Sequence, residues 1–110
     1  MATTTVGKET PRALLAELLE RFREEKRGVR WFEFRRGEDW AGDPAIWVWV
    51  VLPKDAEKKG FWDWENREAI RRRIYDRFRE AGFEDTFVYV RFRLENEEPA
   101  SPRLERIERP

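Results

Sequence analysis

This sequence predicts a two-layer α/β (α+β) sandwich of order α-β-β-α-β, with two helices on one face of a three-stranded mixed sheet. Three observations carry that reading: two segments with apolar residues at three- and four-residue spacing, three segments that alternate between apolar and other residues, and turn-forming residues between them.

The elements follow in order. After a polar N-terminal arm expected to be flexible over 1–9, Thr10 and Pro11 read as an N-cap and a first helical residue, where the proline's missing N–H costs nothing. Leu14, Leu15, Leu18, Leu19 and Phe22 then form one apolar stripe, and Gly28 supplies the stop, so a helix is predicted from Pro11 to about Arg27. In VRWFEFRR, Phe32 and Phe34 point to one side, and Trp31, Glu33 and Arg35 to the other. The loop GEDWAGDP returns the chain as an antiparallel strand, AIWVWVVL, ended by Pro53. A charged, solvated connection, KDAEKKG, leads to Asp63 as the cap of a second helix that buries Ile70, Ile74, Phe78 and Ala81 and stops at Gly82. The third strand, Thr86 to Leu94, alternates Val88, Val90 and Phe92 against Phe87, Tyr89, Arg91 and Arg93. Residues 95–110 are polar and interrupted by prolines, and read as a flexible charged tail outside a single domain of 10–94.

A strand–helix–strand crossover makes its strands parallel and right-handed, so strands two and three should run parallel, and one and two antiparallel. Both helices would then cover the side bearing Phe32, Phe34, Ile46, Val48, Val50, Leu52, Val88, Val90 and Phe92. The other side collects Trp31, Trp47, Trp49, Phe87 and Tyr89 beside Glu33, Arg35, Arg91 and Arg93, with no third helix to cover it. Each large aromatic buries roughly 150–250 Å² when covered, and a soluble monomer rarely leaves several together in water.

Composition excludes much chemistry. The chain has no cysteine and no histidine, and its one serine is Ser101, so nucleophile–base catalysis has no parts to work with. Formal charge is zero although 42% of the 110 residues are charged, which argues against wrapping a DNA duplex, where phosphate neutralisation dominates affinity. The longest apolar run, Ala45 to Leu52, is far shorter than the roughly 20 residues that span a bilayer. With no signal-peptide pattern at the start and no cysteine, a cytoplasmic location and no membrane partner are expected. Abundant Arg and Glu give a composition like that of heat-adapted proteins.

Carboxylates gather at Glu38, Asp39 and Asp43, and again at Asp55, Glu57, Asp63 and Glu65, but neither group has calcium-loop spacing, and solvated loop charge is the simpler reading. Helix, glycine-containing loop, and a strand ending in VVLP followed by helix and strand together resemble the outline of minimal nucleotidyltransferases of the antitoxin type. That resemblance implies a Gly-Ser pair on the loop for phosphate and two alternating aspartates on the second strand for Mg²⁺. Here the loop reads FRRGEDWAGDP and the strand AIWVWVV, so both devices are missing and activity of that kind is excluded.

The functional expectation is therefore a small non-catalytic interaction domain, without cofactor or metal. Its aromatic sheet face (Trp31, Trp47, Trp49, Phe87, Tyr89, Arg35, Arg91, Arg93 and Glu33) mediates self-association as a homodimer or binding to another macromolecule. One alternative is single-stranded RNA or DNA on the same aromatics and arginines, although FVYVRFR lacks the glycine of the RNA-recognition signature. A second alternative is an oxygen-ligand metal enzyme, and a third cover for the aromatic face is the tail itself, with Leu104 and Ile107 laid on the sheet.

Overall fold

The computed structural model describes residues 9–108; the predicted arm, but for Glu9, lies outside them. Its elements are α1 (Pro11–Glu24), β1 (Trp31–Glu38), β2 (Pro44–Leu52), α2 (Trp64–Glu80), β3 (Phe87–Leu94) and β4 (Glu105–Ile107). Two helices and a mixed sheet give the α+β two-layer class predicted. The sheet has four strands rather than three, in the order β3-β2-β1-β4.

Helix α1 starts where Thr10 accepts a hydrogen bond from the Ala13 N–H through its side chain, with Pro11 in the first turn. It ends at Glu24, three residues short of the predicted Arg27, because Lys26 turns into the left-handed region at φ 57°. Gly28 follows at φ 87° with the Phe61 ring so close that an added Cβ would lie 2.4 Å from it. At α2 the predicted cap Asp63 holds the position, but its carboxylate makes no capping bond.

β1 pairs antiparallel with β2, and β2 parallel with β3, as the crossover rule requires. Ile46, Val48, Val50, Phe32 and Phe34 are buried beneath Leu14, Leu15, Leu18, Leu19 and Phe22 of α1 and Ile70, Ile74 and Phe78 of α2. Full burial of each such side chain contributes roughly 1.5–3 kcal/mol, which fixes both helices to this face.

Two expectations are corrected. The stretch 95–110, read as a tail outside the domain, supplies β4, which pairs antiparallel with β1 through Phe32↔Ile107 and Phe34↔Glu105. Ile107 thereby enters the core on the helix side rather than lying on the outer face. The connection after Pro53 is not simply solvated either: Ala56 is fully buried in consecutive turns, and Phe61 and Trp62 pack against the core. No helix among the described residues is long and apolar enough to cross a membrane.

Candidate functional site: the outer sheet face

The register places the outer-face side chains in rows across the sheet. Tyr89, Trp47 and Arg35 share one row; Arg91, Trp49, Glu33 and Arg106 the next; Arg93, Val51 and Trp31 the third. None of the three tryptophans lies under a helix, and all three are partly buried. The nine residues singled out from sequence thus do share one face, but they divide into two unlike halves.

The half near the start of β1 is closed. Val51 is small, so the Arg93 side chain can cross it from β3 to reach Glu33 on β1. Arg93 Nε donates to Glu33 Oε1 at 3.1 Å and Nη2 to Oε2 at 2.5 Å, a two-point guanidinium–carboxylate pair. Trp31 Nε1 donates to the same Oε2 at 3.0 Å, and Arg93 Nη1 donates to the carbonyls of Leu94 and Glu97. Glu33 is 5% and Arg93 6% exposed, and among the described residues no buried side-chain polar atom lacks a partner. Burial pushes the Glu33 carboxyl up, but the hydrogen bonds from Arg93 and Trp31 and the charges of Arg93 and Arg106 outweigh it and hold it below its ordinary range. Arg106 from β4 lies 3.7 Å from the Trp31 ring centre, so that indole is capped as well.

A lid covers this half, made by the stretch the sequence offers as one of three possible covers. From Leu94 the chain must reach the far side of β1, and it does so across the outer face. Glu97 accepts from the Leu94 N–H, and Glu33, Trp31 and Arg93 share a cleft with Pro99, Pro102 and Leu104. Leu104 thus sits on the face the sequence assigned to it, whereas Ile107 does not. No periodicity marks such a segment, and only the isolated apolar pair Leu104 and Ile107 hinted at it.

The half toward the β1–β2 hairpin is open. Trp47 is flanked on one side by Arg35, 4.0 Å from its ring centre, and on the other by Tyr89, stacked at 5.7 Å and 21°. Phe87 and Trp40 extend this aromatic row, and they are 52% and 86% exposed. The Tyr89 hydroxyl donates to Asp39 Oδ2 at 3.1 Å; burial first, then that bond and the charges of Asp39 and Asp43, raise the phenol's pKa and keep it protonated. Asp39 is further committed to the hairpin, its Oδ1 accepting from the N–H groups of Ala41 and Asp43. Among the described residues no three carboxylates gather into a group able to hold a metal ion.

Beside Trp47 lies a cleft of about 460 Å³ lined by Trp49, Arg35, Arg91 and, from the crossing segment, Ala100, Ser101 and Arg103. Three guanidinium groups border it and no carboxylate does. Arg35 is held against Trp47, while the Arg91 side chain has no ion-pair or hydrogen-bond partner among the described residues. Arg103 was not identified from sequence. Comparison of the chain with family models, curated proteins and solved structures finds no match.

Proposed function

We propose that the chain is a non-catalytic interaction domain that receives a carboxylate-bearing protein partner on the open half of its outer sheet face. The observation that carries this reading is the cleft over Trp47 and Trp49, where Arg35, Arg91 and Arg103 converge without a counter-charge in the lining. Tryptophan and arginine are the residue types that supply most binding energy at interface centres, and guanidinium groups grip carboxylates at two points.

Two other occupants fit less well. A second copy docking face to face would set a patch of like charge against itself, since Glu33, the one carboxylate among the strand positions of this face, is buried in its pair with Arg93. A single nucleic-acid strand needs successive free aromatic surfaces on which bases stack, and Trp47 is already flanked on both sides by Arg35 and Tyr89. Zero net charge weakens that reading further.

Tryptophan fluorescence decides between them. Titration with peptides combining Glu or Asp with apolar residues should shift the emission, and Arg91→Glu with Arg103→Glu should abolish the response. If a short mixed-sequence oligonucleotide binds instead, with steep salt dependence, or if no acidic peptide binds at all, the proposal fails.

A further inference from the structure

We infer that two copies of the chain associate through β3, pairing antiparallel about a two-fold axis at Val90 to make one continuous eight-stranded sheet. This rests on the sheet edge, and Arg91 is the residue it shares with the cleft on the outer face.

The two edges of the sheet differ. β4 is three residues long and carries Glu105 and Arg106, the short, charged kind of edge that resists further pairing. β3 is eight residues long, FVYVRFRL, with no proline, glycine or lysine to blunt it, and is bonded to β2 on one side only. Glu95 donates its N–H to the Leu52 carbonyl, so odd-numbered residues of β3 direct their main chain toward β2 and even-numbered ones away. At Leu94 the outward groups are satisfied within the chain, the N–H by Glu97 Oε1 and the carbonyl by Arg93 Nη1. Among the described residues the outward groups of Val88, Val90 and Phe92 have no partner and remain for a strand from outside.

What flanks this edge fits a second copy. At the N-terminal end of β3 lies a cleft of about 180 Å³ bordered by Tyr75, Phe87, Val88, Glu84 and Arg79, whose charge is met by Asp76, and Tyr75 and Phe87 are two of the four exposed large apolar side chains among the described residues. Neither Glu84 nor its neighbour Asp85 has an ion-pair partner among the described residues. At the C-terminal end a cleft of about 520 Å³ is bordered by Trp62, Phe92, Arg67, Arg71 and Arg91, with Glu97 and Glu98 at its rim. A two-fold axis sets the acidic aromatic end of one copy against the arginine-rich end of the other, twice. Centred on Val90, the pairing puts Phe92 opposite Val88 of the partner subunit through main-chain bonds. On the outer face it sets Arg91 beside the partner's Tyr89, a cation–aromatic contact.

The test is the mass of the native chain together with amide exchange. Light scattering should give twice the 13.4 kDa chain mass. Exchange at the Val88, Val90 and Phe92 amides should slow about tenfold or more as concentration rises through the association midpoint. Val88→Pro, which removes one outward N–H at an edge position that tolerates proline, should return the chain to monomer mass with its secondary structure intact. A monomer mass at all concentrations with no concentration dependence at those amides overturns the inference. So does a dimer that Val88→Pro leaves whole and Trp49→Glu dissociates. Should Val88→Pro fail to fold, the exchange pattern of the native chain decides alone.

Discussion

Arg93 and Arg91 leave the same strand two residues apart and point to the same face, yet they do opposite work. Arg93 spends its donors on Glu33 and on two carbonyls, and both partners of the ion pair are withdrawn from water. Arg91 borders a cleft that holds two further guanidinium groups and no acid. The difference lies in the neighbours across the sheet: Arg93 faces Val51, short enough to cross, whereas Arg91 faces Trp49, which stands between it and Glu33. Residue type alone does not separate a structural arginine from one available to a ligand; row partners do.

The largest effect expected from breaking this contrast is at the closed half. Glu33→Ala leaves Arg93 charged and unpaired in a covered site and should cost about 3–5 kcal/mol in denaturant unfolding, while Glu33→Leu with Arg93→Met should recover most of it. A loss under ~1 kcal/mol would show that the pair is not sequestered. Next comes the strand that carries the lid's far end. Ile107→Ala should cost about 2–5 kcal/mol, as for other buried aliphatic truncations, and a near-neutral result would detach β4 from the core.

The pH dependence is smaller and has a definite sign. Because the folded-state pKa of Glu33 lies below its ordinary 4.5, the stabilisation it contributes is fully present above the unfolded value and is lost as pH falls through the folded one. Stability profiles of the native chain should therefore drop below about pH 4.5, and Glu33→Gln should flatten part of that drop. At the open half, Arg91→Glu should move stability by no more than about 0.5 kcal/mol while removing the fluorescence response to acidic peptides. Of the two ion pairs compared, the smaller effect belongs to the exposed Arg12–Glu105, 3.1 Å apart, where Arg12→Ala should cost about 0.2–1 kcal/mol, less at high salt.

Much of the architecture was legible because periodic burial leaves a periodic trace. Leu14 to Phe22, Ile70 to Phe78, and the alternating residues of the three long strands declared both their element and the side they bury. β4 was not legible, since three residues carry no period and Glu105, Arg106 and Ile107 lie among charges and prolines. Ala56 was hidden for a similar reason, being one small side chain in a charged run. Of the candidate site, alternation identified Trp31, Trp47, Trp49, Phe87, Tyr89, Glu33, Arg35, Arg91 and Arg93 as sharing a face, but Arg103 and Arg106 reach it only through the crossing segment.

By itself, then, the sequence determined which side chains each element buries and which it shows, because that follows from the 3.6- and 2-residue repeats of the backbone. Tertiary structure alone decided which exposed groups are neutralised. Pairing depends on register and on what crosses the sheet, and residues 60 apart in the chain, Glu33 and Arg93, meet only once three strands are aligned.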